Sequence, residues 1–167
     1  KVGNVVILST DKAVYPINAM GMTKALSEKI MVSTARELEG SRMRTILCAV
    51  RYGNVLYSRG SVVPYFVDLI KQKKRLTITN PEMTRFLLPL RYSVELVMHA
   101  LVHGKSGHIY VKKAPAATIE VTAKAVAKLF SYAEGVDTIG TRAGEKIHET
   151  LLSREEYARV IDEGEFF

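Results

Sequence analysis

The hydrophobic positions of this chain follow two rhythms. Val5-Val6-Ile7-Leu8 is a short unbroken apolar run rich in β-branched residues, the pattern of a strand buried on both faces of a parallel sheet. The strand occupies residues 1–10 and runs out into a loop through Pro16. From Asn18 to Leu38 the rhythm turns helical: Met22, Leu26, Lys29/Ile30 and Ser33/Thr34 recur at helical spacing, and Gly40 punctuates the end. Arg44 to Val50 reads as a second buried strand. Strand, helix and strand in that order imply a right-handed crossover and a parallel sheet.

Beyond Val50 lies an irregular stretch, Arg51 to Ser61, carrying two glycines and several polar side chains. Pro64 to Lys71 reads as a helix with proline in its first turn. Leu76 to Thr79 is a short strand closed by Asn80-Pro81. Tyr92 to His103 is helical, Gly104 to Gly107 a turn and His108 to Val111 a strand. Ile119 to Tyr132 is a strongly periodic helix. From Val136 onward the pattern gives a strand, a Gly-bearing polar turn and a short helix near Arg154. No internal repeat or low-complexity linker interrupts this order, and the fold class it predicts is α/β.

Composition narrows the class. At 167 residues, 47% hydrophobic and 25% charged, the chain can bury a core and has the profile of a globular protein. No apolar run reaches the roughly 18 residues that a membrane span needs, and no signal peptide is expected from the opening strand pattern. Cys48 stands alone within Thr45-Ile46-Leu47-Cys48-Ala49-Val50, the setting of a buried thiol in a reducing, cytoplasmic compartment. The net charge of +7 raises the alternative of a basic module for nucleic acid or another polyanion. Its densest run, Lys71-Gln72-Lys73-Lys74-Arg75, falls where a helix ends, and cations there complement the helix dipole. No aromatic platform or zinc pattern accompanies it, so no nucleic-acid partner is expected. A polyanionic small ligand would suit the same charge.

Two clusters could carry chemistry. Ser9-Thr10-Asp11-Lys12 stands where a parallel strand meets its loop, the edge at which open α/β sheets bind ligands. An acid beside an amine can donate and accept protons; equally, Asp11 can cap the turn while Lys12 is solvated. Asn18-Ala19-Met20-Gly21-Met22-Thr23-Lys24 opens the long helix and puts Met20 and Lys24 on one face. His99 and His103 are four apart on a helix but have no apparent third ligand, and His148-Glu149 lacks a second histidine, so no metal is expected.

Ser9-Thr10-Asp11-Lys12-Ala13, Pro16-Ile17-Asn18 and Met20-Gly21-x-Thr23-Lys24 together resemble the catalytic segment of UDP-N-acetylglucosamine 4,6-dehydratases, extended short-chain dehydrogenase/reductases. Those enzymes carry a tyrosine four residues before the lysine; Met20 stands there instead. That departure resembles the capsular and O-antigen dehydratase/5-epimerase subgroup, which makes a precursor of N-acetyl-L-fucosamine. Three further blocks extend the resemblance: Arg51 to Val55 with Ser58 to Pro64, Leu76 to Thr79 with Met83 to Phe86, and Arg142 to Glu149 with Leu151 and Ser153 to Glu156. The family's Gly-x-x-Gly-x-x-Gly cofactor turn is not found in this sequence. The resemblance therefore implies the C-terminal part of a Rossmann-type parallel sheet with an interleaved small α/β substrate-binding subdomain. Residues 1–55 and 91–113 would form the NADP-binding part and 56–90 and 114–167 the substrate subdomain. The chain would be an enzyme fragment, inactive alone.

The resemblance also implies roles. Lys24 would bind the nicotinamide ribose, with Thr10 and Val55 near the NADP (or NAD) cofactor. Lys12 would remove the C5 proton of the sugar and Asp11 would protonate the departing C6 hydroxyl. Arg142 and Arg85 would neutralise the UDP pyrophosphate, and Glu145 would bind the uridine ribose. Asn54 and the turn Arg59-Gly60-Ser61-Val62 would line the sugar and phosphate path. A thioether cannot accept the C4 hydroxyl proton, so Lys12, Asp11, a water on Thr10 or Tyr57 would replace the tyrosine. The implied partners are UDP-N-acetylglucosamine or a related UDP-sugar and further copies of the complete enzyme. A UDP-sugar 4-epimerase shares fold, cofactor and substrate class and is the alternative enzyme.

Overall fold

The computed structural model describes residues 2–41 and 44–167; Lys1, where the first strand was expected to begin, lies outside them. Thirteen elements follow in the order β1 (Asn4–Thr10), a 3-10 turn (Asp11–Ala13), α1 (Ala19–Glu39), β2 (Ile46–Tyr52), α2 (Val62–Lys71), β3 (Leu76–Ile78), β4 (Thr84–Phe86), α3 (Leu90–His103), β5 (Ile109–Val111), β6 (Ala116–Thr118), α4 (Ile119–Leu129), β7 (Val136–Thr138) and α5 (Arg154–Tyr157). They fall into two compact units. The first comprises Lys1–Gly53, Pro89–Ala114 and Thr150–Phe167; the second comprises Asn54–Leu88 and Pro115–Glu149.

The first unit is built on the parallel sheet that the apolar runs predict. β1 pairs with β2 from Asn4↔Ile46 to Thr10↔Tyr52, and β2 pairs with β5 from Ala49↔Ile109 to Arg51↔Val111. β2 is central and β1 is an edge. Because side chains alternate across a strand, β2 sorts its residues between two helices. Cys48 and Val50 pack with Leu96 and Ala100 of α3, while Ala49 packs with Met31 and Ala35 of α1. The apolar repeat that marks α1 is not the face it buries. Met22, Leu26 and Ile30 are exposed, and Gly21, Glu28, Met31 and Ala35 turn inward.

Arg51, next on the α1 side of β2, is 2% exposed. Its guanidinium uses all five N–H donors. Nε and Nη2 reach the Glu28 carboxylate at 3.0 and 2.6 Å. Nη1 and Nη2 reach Glu156 at 2.9 and 3.0 Å, and Nη1 also donates to the Leu151 carbonyl at 2.8 Å. Burial opposes the charge, yet the hydrogen bonds and charges of Glu28 and Glu156 outweigh it and hold Arg51 ionised.

This anchor corrects the expected boundary of the second unit, which took in residues 114–167. Residues 150–167 instead fold back onto the first unit. Glu156 meets Arg51, Val111 and Phe167 exchange main-chain hydrogen bonds at 2.9 Å each way, and Lys113 N donates to Glu165 O at 3.1 Å. A single arginine in an apolar strand does not announce partners more than a hundred residues away.

The second unit packs α2 and α4 over β3. Its core is Phe66, Val67, Leu76, Ile78, Met83, Ile119, Ala123 and Val126. β3 pairs in parallel with β7, and β4 pairs antiparallel with β6. The basic run ends in Arg75, whose guanidinium holds Asp137 at 2.8 Å and the Glu134 carbonyl at 2.6 Å. That cation ties β3 to β7. No helix among the described residues is long and apolar enough to cross a membrane.

Arg51→Ala leaves the buried Glu28 carboxylate unpaired and facing that of Glu156 and should cost about 3–5 kcal/mol, read as a lower urea midpoint at unchanged slope. Glu156 gives the pH dependence. Burial pushes its carboxyl up, but the Arg51 hydrogen bonds, the Ser153 backbone N–H and nearby charges outweigh this and bring it below its ordinary value of 4.5. A depressed carboxylate stabilises the fold above its unfolded pKa, and that contribution is lost as pH falls through the folded pKa. Urea stability should therefore decline on acidification below 4.5, and Glu156→Gln should flatten the decline.

Candidate functional site

At the carboxyl end of β1 the chain tightens into the 3-10 turn. Thr10, extended at φ −151°, caps it with a side-chain oxygen that accepts from Lys12 N at 3.4 Å. The same hydroxyl donates to Asp11 Oδ1 at 2.6 Å, and Lys12 Nζ meets that oxygen at 3.0 Å. Asp11 is fully buried. Its other oxygen, Oδ2, is also buried and has no hydrogen-bond partner. Buried polar atoms are nearly always satisfied, so an orphaned carboxylate oxygen beside a lysine singles this turn out as a candidate site. The Lys12 side chain retains 23% exposure.

α1 begins against this turn. Asn18 caps it, its Oδ1 accepting from Gly21 N at 2.8 Å. Gly21 is required by proximity: a Cβ there would lie 2.3 Å from the Lys12 carbonyl oxygen. One turn along, Lys24 Nζ donates to Leu8 O at 2.9 Å, holding a cation at the strand end where open α/β sheets receive ligands. An ammonium has three donors, so Lys24 retains donor capacity beyond the Leu8 carbonyl. Met20, 47% exposed, shares that helix face and offers a thioether in place of a phenol.

The second unit holds the remaining candidates. Val55 bridges Leu88, and Asn54 O accepts from Leu88 N at 3.0 Å. Asn54 Oδ1 and Ser61 Oγ are buried without partners. Ser61 occupies the N-cap of α2 yet makes no side-chain cap bond. It follows an exposed turn through Arg59 and Gly60, whose φ of +74° suits glycine. Val62 opens α2. Tyr57, 62% exposed, sits at φ +59°.

Arg85 is committed to its own loop. Nη1 donates to the carbonyls of Thr84, Lys146 and Ile147 at 2.7, 3.0 and 3.4 Å. It therefore braces the segment that carries Arg142 and Glu145. That segment turns on itself, Arg142 N to Glu145 Oε2 at 3.3 Å and Glu145 N to Arg142 O at 3.2 Å. Among the described residues the exposed Arg142 guanidinium makes no ion pair. No group of three or more His, Cys, Asp or Glu that could hold a metal occurs among them either. Sequence reasoning missed Glu28 and Tyr15. The available signal for Glu28 was a carboxylate on the sheet-facing side of a helix opposite Arg51.

The fold is α/β with a parallel sheet and resembles that of two dTDP-glucose 4,6-dehydratases of known structure. The chain belongs to the polysaccharide biosynthesis protein family, whose model matches residues 1–167. It is 55% identical over 167 residues to the UDP-glucose 4-epimerase of Rickettsia felis, covering 100% of this chain and 48% of the relative. It thus spans about half the length of the curated relatives it matches. Among solved structures it is similar to Pen from Bacillus thuringiensis, with a TM-score of 0.93, 30% identity, and coverage of 99% of this chain and 52% of that one. It is also similar to DesIV, a dTDP-glucose 4,6-dehydratase from Streptomyces venezuelae solved with NAD and TYD bound. There the TM-score is 0.77 at 17% identity, with coverage of 89% and 51%.

Gly21→Ala puts a methyl group into the Lys12 carbonyl, and helix and turn must part. Overpacking of this kind costs about 1–3 kcal/mol. Thermal unfolding should report that loss, together with faster amide exchange across residues 11–21; unchanged exchange would show that α1 does not bear on the turn.

Proposed function

We propose that the complete protein is a nicotinamide-dependent UDP-sugar-modifying enzyme that performs 4,6-dehydration with 5-epimerisation of UDP-N-acetylglucosamine for polysaccharide precursors. The observation that carries this reading is the buried Asp11 carboxyl, one oxygen unpartnered and the other bound to Lys12. Met20 supports it, standing where a 4-epimerase of this type uses a tyrosine. When bound, the nicotinamide supplies reversible hydride acceptance, taking hydride from C4 and returning it at C6. Lys24 and Thr10 would hold its ribose edge, with Val55 nearby. DesIV binds NAD, which favours NAD over the NADP expected from sequence.

A 4-keto group acidifies the C5 proton, and this is the proton Lys12 would remove. Breakage of the C6–O bond then forms the C5–C6 double bond, with Asp11 protonating the departing hydroxyl to give water. Hydride addition at C6 and a proton delivered to the opposite face of C5 complete the 5-epimer. Asn54 and the Arg59-Gly60-Ser61-Val62 turn would contact sugar and phosphate. Arg142 would neutralise the pyrophosphate with Arg85 bracing its loop, and Glu145 would bind the ribose hydroxyls. The acceptor of the C4 proton remains among Lys12, Asp11, a water on Thr10 and Tyr57.

The second reading is a UDP-sugar 4-epimerase, favoured by the name of the Rickettsia relatives. The two reactions part at C5. In heavy water, with NAD or NADP and UDP-N-acetylglucosamine, the complete protein should yield a 6-deoxy-4-keto product with deuterium at C5. A 4-epimer free of C5 deuterium would establish the second reading instead. Lys12→Ala should abolish dehydration and C5 labelling; normal labelling by that variant would remove Lys12 as the base.

A further inference from the structure

We infer that α5 is a strap that positions the Asp11–Lys12 turn, and that Tyr15 and Glu156 are positioning residues for the reaction; the catalytic part of this inference rests on the reading above. The turn is gripped on both sides by the same short helix. On its C-terminal side, the Tyr15 hydroxyl donates to Glu155 Oε2 at 3.2 Å and accepts from Arg154 N at 3.0 Å. These contacts join residues 139 and 140 positions apart. On its N-terminal side, Glu156 holds Arg51, Arg51 holds Glu28, and Ser9 Oγ donates to Glu28. Ser9 is buried and lies two residues before Asp11.

Backbone conformation shows that the grip does work on the loop. Tyr15 sits at φ +45°, in the left-handed region that side chains with a Cβ disfavour. It also precedes Pro16, which biases its neighbour toward extended conformations. Such a residue persists where its surroundings over-determine it: Ala13 and Val14 before it are buried, and the half-exposed Tyr15 ring is tied down by its two hydroxyl bonds to α5. α5 is itself locked by a capping box, Glu156 N donating to Ser153 Oγ at 3.1 Å and Ser153 N to Glu156 Oε2 at 2.8 Å. Glu156 thus closes the helix cap and the Arg51 cluster with one carboxylate. A displacement of α5 therefore reaches the strand end through Ser9 and the loop through Tyr15 together.

Tyr15→Phe in the complete protein removes only the hydroxyl. It should lower kcat on the order of tenfold to a hundredfold, the scale of a small misplacement of reacting groups. KM for the UDP-sugar and the unfolding temperature should stay close to wild type. Amide exchange over residues 12–18 of the unliganded variant should accelerate. Unchanged exchange would overturn the strap whatever the substrate proves to be. Accelerated exchange with wild-type kcat, or a loss confined to KM, would overturn the positioning role. Glu156→Gln should reproduce the fall in kcat with a lowered unfolding temperature; should it fail to fold, Tyr15→Phe decides alone. Absence of UDP-sugar turnover by the wild-type protein would sink the proposed function, while the exchange comparison would still decide the strap.

Discussion

A guanidinium enclosed on every side organises the first unit. Arg51 stands at the end of a strand whose neighbours Cys48, Ala49 and Val50 are wholly buried, where an unpaired charge is untenable. The solution is saturation, two carboxylates and a carbonyl for five donors. Each partner comes from a different part of the chain: Glu28 from α1, Glu156 from α5 and Leu151 from the segment between the units' boundary and α5. A buried pair of this kind adds little over apolar packing but fixes geometry, since removing any member strands the others. The strand order, the seat of α1 and the return of residues 150–167 all meet this one condition.

The turn at the end of β1 inherits that order. Asp11 is held within its turn by Thr10 and Lys12, and α1 approaches close enough that only glycine fits at position 21. The turn is thus bounded by backbone instead of by mobile side chains. A carboxyl group kept buried with one oxygen unsatisfied is unfavourable for folding alone, and it persists because the surrounding contacts leave it no alternative. In the second unit, Ser61 Oγ and Asn54 Oδ1 show the same pattern of polar atoms held ready without an internal partner.

Much of this was legible in the sequence. The unbroken run Val5 to Leu8 and the run ending at Val50 became adjacent parallel strands, because a strand covered on both faces needs no polar alternation. The helices at α2, α3 and α4 followed from period and caps. The face of α1 was not legible: Met22, Leu26 and Ile30 keep the helical repeat yet point outward, while the inward face carries Gly21 and Glu28. Hydrophobic period alone misassigns a helix whose buried side includes a charge. β4 and β6, three residues each, have no alternation of their own and are set by pairing and by contacts such as Ile119 N to Met83 O. The candidate residues Thr10, Asp11, Lys12 and Lys24 were found because one motif gathers them locally. Tyr15 and Glu156 escaped because their contacts span most of the chain, and a side chain's distant partner leaves no local trace.

The edge position of β1 has a material consequence. Among the described residues it pairs with no strand but β2, and Lys24 Nζ occupies one of its carbonyls, Leu8 O. That segment, NVVILST, contains no charge and no proline, the two devices by which edge strands are ordinarily kept from recruiting further strands. β1 thus has the sequence of an interior parallel strand, one suited to pairing along both of its edges.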